Sequence, residues 1–351
     1  MARWLSRGKV LVITGVAVVV AAGGVAIAVT GGHTSSGQGV AASTATAGNS
    51  TPNASPIAST PERSSGSSAP ITPTPSPTGP RTGAGTPVTV RLYENDGQTF
   101  GVGMPIIAYF SQKITDASVF DKAVTVTVNG QPADGAWYWE PSSQSGEALE
   151  AHYRLPSYWP AHADIEVNMP IAGLWAGPGM VFADSLTLAM KTGPAQLAAV
   201  NGTPGIDTMT ITSDGKPVRT LKVSLGETTT PTLEGTAVVM EKDNPQQMVS
   251  APGEEPAYSI SVPWSVRVTY DGEFIHDAYW NGEIGQQNLS HGCTNLSPAD
   301  AQWYYGWSQI GDPVTWTHTG TSAVVPVTDG WGDWNLPWAT YAAGGLLPPT
   351  S

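Results

Sequence analysis

From Pro87 to about Lys191 apolar and polar positions alternate in short runs: "VTVRLY", "IIAYFS", "AVTVTVN", "GAWYWE", "ALEAHYR", "DIEVNM" and "SLTLAM". Gly, Pro, Asp and Asn separate them. A period of two sends successive side chains to opposite faces of a strand, so the pattern predicts an immunoglobulin-like antiparallel β-sandwich over 87–191. His152 and His162 fall in or near these runs and read as surface or packing residues rather than ligands. Nothing in this region resembles a catalytic constellation.

A second β-rich region begins near Gly193 and extends to 325. "DTMTIT", the turn "SDGKP" and "VRTLKVS" predict a hairpin, with further strands at "GTAVVM" and "SVRVTYDGEFIH". One principal helix is expected: Ser297 is placed as N-cap, Pro298 opens the first turn, and Asp300 completes a capping-box-like S-x-x-D before "AQWYYGW". Gly311 and Pro313 close it, and "VTW" resumes a strand. Residues 326–351 carry Trp331, Trp334 and Trp338 and predict a C-terminal extension packing its rings on the domain before it, with ligand stacking as the alternative. The fold class is mainly β throughout.

The N-terminal portion follows other rules. Arg3, Arg7 and Lys9 precede the uncharged run "VLVITGVAVVVAAGGVAIAVT" at 10–30. At 1.5 Å per residue this run reaches about 30 Å, the thickness of a bilayer core. Residues 1–30 therefore predict a membrane anchor with a cytoplasmic N-terminus and an exported body. A cleaved signal peptide, with Ala26 and Ala28 near the processing site, is the competing reading. No cysteine directly follows the run, which excludes lipid attachment there. Residues 31–86 are almost all Ser, Thr, Ala, Gly and Pro and predict a disordered linker, because they cannot bury enough apolar surface to offset their ordering entropy. The formal charge is −13, and residues 1–30 carry no acid, so the acidic remainder is ill suited to nucleic acid.

Cys293 is the only cysteine of 351 residues. Alone it cannot form an internal disulfide, and in an exported body an unpaired thiol calls for a reason. It stands in "NLSHGCTNLSP", beside Gly292, which permits a positive φ or a close approach of the chain. Thiol catalysis requires a base and amide donors for the oxyanion. His276 and His291 are the candidate bases, and the amides of 291–293 the candidate donors. A zinc site built on Cys293 and the two histidines lacks a common spacing and an evident fourth ligand.

"HDAYWNGEIGQQNLSHGCTNLSPADAQWYYGW" resembles the signature of the YkuD-type L,D-transpeptidases: an upstream His, then Ser/Thr-His-Gly-Cys, a variable residue, and Arg or Asn. Here these are His276, Ser290, His291, Gly292, Cys293 and Asn295. Tyr258 stands where the family keeps a tyrosine, "GDWNLPWATYAAG" resembles the tail of members with an Ig-like domain, and the likeness covers roughly 87–351. The resemblance implies Cys293 as nucleophile and His276 as general base, with the backbone carbonyl of Asp277 as the third member. Asp277 replaces the usual Ser or Gly, and its carboxylate is expected to raise the imidazole pKa. His291 and Gly292 would shape the oxyanion loop. Tyr258, Trp280, Ser290 and Asn295 would line the substrate site.

The implied activity is 3→3 cross-linking of peptidoglycan stem peptides through a cysteine thioester, with a tetrapeptide donor, release of D-Ala, and a diamino-acid amine as acceptor. No metal or organic cofactor is implied, and carbapenem acylation is expected. The expected location is the outer face of the cell membrane, toward the wall, or secreted if residues 1–30 are cleaved. The same acyl-enzyme passed to water would make an L,D-carboxypeptidase, and passed to a protein amine a protein-anchoring enzyme. A non-catalytic wall-binding protein and a cysteine endopeptidase are the remaining alternatives. The latter usually places Cys before His, the reverse of the order here.

Overall fold

Alternation in the seven runs of 87–191 becomes strand pairing in a computed structural model that describes residues 11–12, 85–203, 205–250 and 258–349. One sheet orders Thr99–Phe100, Leu186–Thr192, Asp164–Met169, Thr125–Val128 and Gln131–Pro132. Its facing sheet orders Val90–Leu92, Ile106–Phe110, Leu149–Arg154 and Ala136–Glu140. Between them lies a core that includes Phe110, Phe120, Trp137, Trp139, Ile165 and Val167. Asp164–Met169 shows the amphipathic logic directly: Ile165, Val167 and Met169 are buried while Asp164, Glu166 and Asn168 are exposed.

The second unit begins within a few residues of Thr192. Its first sheet runs Lys216–Lys222, Thr208–Ser213, Gln196–Asn201, Pro313–Thr317 and Gly235–Val238. The hairpin turn holds Asp214 and Gly215 at φ of 48° and 73°, the left-handed pair that a tight two-residue turn requires. A second sheet orders Glu241–Asp243, Ser265–Arg267, Phe274–Asp277 and Thr294–Leu296. The helix Pro298–Trp307 starts where the cap signal placed it: Ser297 Oγ accepts from the Asp300 amide at 3.3 Å and donates to its carboxylate at 2.8 Å. Ala301 and Tyr304 bury its inner face among Ile275, Leu296 and Val314. Two short helices, Ser118–Ala123 and Trp338–Tyr341, add to this principal one.

The C-terminal extension packs on both units, not on the second domain alone. Asn335 does bond Thr236 there, through its side-chain oxygen at 2.7 Å and its amide at 2.8 Å. Its aromatic rings, however, meet the Ig-like unit: Trp331 against Tyr93 and Trp334 against Tyr158 at ring separations of 4.9 and 4.5 Å. His152, read from sequence as a surface or packing residue, is fully buried beneath this segment, 3.1 Å from the Asp333 carboxylate. Its strand is buried on both faces because the tail covers the face that the sandwich core does not. The proposed membrane segment and linker lie outside the described residues except at Leu11–Val12, which pair with Met248–Val249, and at the linker's end. Among the described residues no helix is long and apolar enough to cross a membrane.

Candidate active site

The strand Phe274–Asp277 pairs in parallel with Thr294–Leu296, in the register Ile275 to Thr294, His276 to Asn295 and Asp277 to Leu296. Alternation sends Ile275 and Leu296 into the main core of the unit. Phe274 points the other way and joins Met248 and Val262 in a small cluster that Cys293 packs against. His276 and Asn295 share that second face. Cys293, immediately before the paired strand, thereby lines the same cleft as the histidine that the sequence pattern pairs with it. Thr294 anchors the core side by accepting a 2.9 Å bond from Trp316 Nε1.

A tight turn holds the cysteine. Ser290 Oγ donates to the Cys293 carbonyl at 2.6 Å and accepts from the Gly292 amide at 3.2 Å. Ser290 is itself tied down, since its carbonyl accepts from the Glu227 amide at 2.8 Å and its amide donates to Leu225 at 3.1 Å. Gly292 has φ of 123°, and a Cβ there would lie 3.2 Å from Glu273 Oε1. This is a backbone position where glycine is required. The Gly292 amide is occupied by Ser290 and so is not an oxyanion donor, contrary to the expectation that all three amides of 291–293 converge.

His276 is 4% exposed, and its Nδ1 lies 2.7 Å from the carbonyl oxygen of Asp277. A carbonyl only accepts, so Nδ1 carries the proton and Nε2 presents a lone pair. Burial lowers the imidazole pKa to about 4, with the Asp277 carbonyl bond opposing the shift. The expectation that the Asp277 carboxylate raises it is therefore wrong. Strand alternation turns that side chain to the opposite face, where it is buried with one oxygen lacking a hydrogen-bond partner. Cys293 is half-buried, its Sγ 3.9 Å from the Gly272 carbonyl. Burial pushes its thiol up to about 12, the Phe274 backbone bond and Arg267 acting against this and Glu273 with it. At neutral pH the resting pair is uncharged: a thiol and a neutral imidazole in one cleft.

Both residues line a cleft of about 250 Å³, together with Tyr258, Trp280, Ser290, His291 and Asn295. Asp277 and Gly292 do not line it; they act on it through the backbone. The Tyr258 and His291 rings stack at 5.7 Å and 8°, which turns His291 toward the rim. Trp280, 48% exposed, stacks on His276 at 5.9 Å. Asn295 is buried, and its Oδ1 is sealed from solvent with no hydrogen-bond partner among the described residues. Sequence reasoning missed the apolar wall of Met248, Ile260, Val262 and Leu289. The alternation in "YSISV" was its signal, since Tyr258, Ile260 and Val262 fall on one face of the strand Ser259–Val262 and its leading residue.

Comparison with known proteins agrees with this geometry. Residues 204–315 match the L,D-transpeptidase catalytic domain of the YkuD family, and residues 81–175 match a bacterial Ig domain. L,D-transpeptidase 2 of Mycobacterium tuberculosis (strain CDC 1551 / Oshkosh) is 32% identical over 71% of this chain and 60% of its own length. L,D-transpeptidase 5 of Mycobacterium tuberculosis (strain ATCC 25618 / H37Rv) is 33% identical over 72% of this chain and 55% of its own. The chain thus spans somewhat more than half of these two relatives. The structure of LD transpeptidase LdtMt1 in complex with imipenem superposes with a TM-score of 0.54 at 25% identity, over 66% of this chain and 99% of that one. Residues 204–315 are thus a YkuD-type L,D-transpeptidase catalytic domain, with a bacterial Ig domain ahead of it.

Proposed function

We propose that the chain is a peptidoglycan L,D-transpeptidase that forms 3→3 cross-links through a thioester on Cys293. The observation that carries this reading is the shared face of His276 and Cys293 in one cleft, with Nδ1 of the ring committed to the Asp277 carbonyl and Nε2 left as a base.

In the first half-reaction the sulfur attacks the carbonyl between the diamino acid at stem position three and D-Ala. The thiol proton passes to His276 Nε2 as the S–C bond forms. Because burial disfavours both charged partners, transfer accompanies attack rather than preceding it. The Cys293 amide stabilises the tetrahedral oxyanion. The C–N bond then breaks, and D-Ala leaves with the proton held by His276. In the second half-reaction the side-chain amine of a neighbouring stem attacks the thioester, gives its proton to the same nitrogen, and the S–C bond breaks to restore the thiol. The apolar wall excludes water and so favours the amine over hydrolysis. The Tyr258 and Trp280 rings orient the donor stem, with Asn295 beneath them in the cleft wall.

The imipenem complex of LdtMt1 supports the further proposal that a carbapenem acylates Cys293. In this reading residues 1–30 anchor or export the protein, 31–86 form a tether, 87–191 and 192–325 are the Ig-like and catalytic domains, and the enzyme works outside the cytoplasm at the wall. Incubation with a disaccharide-tetrapeptide, with products read by mass, tests the reaction. Cross-linked dimer with free D-Ala is expected. Tripeptide alone would assign a carboxypeptidase, and no product would leave a binding protein.

A further inference from the structure

A second cluster of reactive side chains lies away from the cleft, between the Ig-like unit and the C-terminal extension. Strands Ala136–Glu140 and Leu149–Arg154 pair with Glu140 opposite Glu150 and Tyr138 opposite His152. Alternation puts Glu140, Glu150 and His152 on the face that the tail covers. They are 2%, 1% and 0% exposed. Burying two carboxylates beside one ring costs several kcal/mol unless their polar atoms are satisfied.

The hydrogen bonds leave a specific set of atoms over. Glu150 Oε2 is saturated by Ser142 Oγ at 3.1 Å, the Ser143 amide at 2.8 Å and Ser143 Oγ at 2.9 Å. Its Oε1 faces His152 Nε2 at 3.4 Å, and Glu140 Oε1 lies 3.8 Å from the same nitrogen. Neither oxygen of Glu140 nor His152 Nε2 has a hydrogen-bond partner among the described residues. Donor atoms of the three residues all lie within 4.8 Å of one another. In a tetrahedral site with bonds of about 2.0–2.1 Å, ligand atoms stand roughly 3.3 Å apart, close to the two separations seen here.

The far side of the ring is also arranged. His152 Nδ1 lies 3.1 Å from both oxygens of Asp333, which is fully buried. A carboxylate there fixes the proton on Nδ1 and turns Nε2 toward the two glutamates, the usual outer support of a metal-bound histidine. The Tyr341 hydroxyl is 3.1 Å from the same carboxylate and 2.7 Å from the His152 carbonyl.

We propose that Glu140, Glu150 and His152 form a structural site in the Ig-like unit for a divalent transition-metal ion of the zinc class, its histidine oriented by Asp333 of the C-terminal extension. One imidazole and two carboxylates suit zinc, whereas calcium and magnesium seek oxygen donors in greater number. Glu140 can supply its second oxygen, or a water can complete the coordination. The inference does not depend on the acyl-transfer chemistry.

The test uses the full-length chain carrying Cys293→Ala, so that the thiol offers no competing ligand, stripped with chelator and titrated with Zn²⁺, Co²⁺ and Mg²⁺. One equivalent of Zn²⁺ should bind and raise Tm. Co²⁺ should give visible d–d absorption, and Mg²⁺ should do neither. Glu140→Gln, which keeps the side-chain volume, should weaken Zn²⁺ binding at least 10-fold and remove the Co²⁺ bands, and His152→Gln should do the same. Absence of stoichiometric Zn²⁺ binding to the parent overturns the proposal whether or not the variants fold. So does unchanged binding in folded Glu140→Gln and His152→Gln. In either case the cluster is held by protons alone.

Discussion

His276 Nδ1 donates to the carbonyl oxygen of Asp277 at 2.7 Å, while the Asp277 carboxylate lies on the other face of the strand. The backbone of the neighbouring residue thus fixes the ring, and its side chain does not tune it. With burial holding the imidazole near a pKa of about 4, the acidic limb of kcat/KM should fall at that pH rather than at the usual histidine value. Asp277→Asn should leave the limb where it is. Rates of D-Ala release across the pH range check both statements; a limb near 6.5 in the parent, or a shift in the variant, would contradict them. The same depression sets a stability trend. Between the unfolded value of about 6.5 and the folded one, the unfolded chain binds a proton that the native ring refuses, so falling pH should cost stability in that window.

Ser290 acts on Cys293 through the turn. Ser290→Ala removes the bonds to the Cys293 carbonyl and the Gly292 amide. Two such bonds are together worth about 1–3 kcal/mol, which if lost in the transition state corresponds to a kcat lowered roughly 5–150-fold. KM should change little, because the hydroxyl is spent inside the protein. Ser290→Thr, which keeps the hydroxyl, should recover most of the rate. Steady-state kinetics of the two variants decide this, and a rise in KM without loss of kcat would make Ser290 a substrate contact instead.

Gly292→Ala forces a Cβ at φ of 123° and 3.2 Å from Glu273 Oε1. A side chain in that region costs about 1–3 kcal/mol, so Tm should drop by several degrees and turnover should fall with it. A variant with parental Tm would show that the turn relaxes freely.

Much of this architecture is legible in the sequence because its signals are local. The period-two runs mark the strands of the sandwich, and Ser297 with Pro298 and Asp300 marks the start of the principal helix. Of the Ser-His-Gly-Cys string, Ser290, His291 and Cys293 line one cleft with the upstream His276 while Gly292 shapes the turn behind it, since a short motif carries what one turn and one strand must do. What escapes is whatever depends on long-range burial. His152 looks like any strand histidine until Asp333 arrives from 181 positions away. Asp277 looks like a tuning carboxylate until the register turns it from the ring. The wall of Met248 and Ile260 takes meaning only when its hairpin folds beside Cys293.

His276→Ala removes the proton acceptor and should lower D-Ala release by about 10²–10⁴-fold while leaving Cys293 alkylatable. Comparison of iodoacetamide labelling with turnover in that variant checks it. Loss of labelling to the same degree as turnover would mean that the ring only shapes the cleft.

The most direct measurement of the central claim is intact mass, followed by peptide mapping, of the full chain quenched during reaction with a disaccharide-tetrapeptide. A thioester-linked disaccharide-tripeptide on the peptide containing Cys293, absent from Cys293→Ala and accompanied by one free D-Ala, is the predicted result. An unmodified thiol with no D-Ala released, from a folded chain whose cleft binds the same muropeptide, would contradict the account.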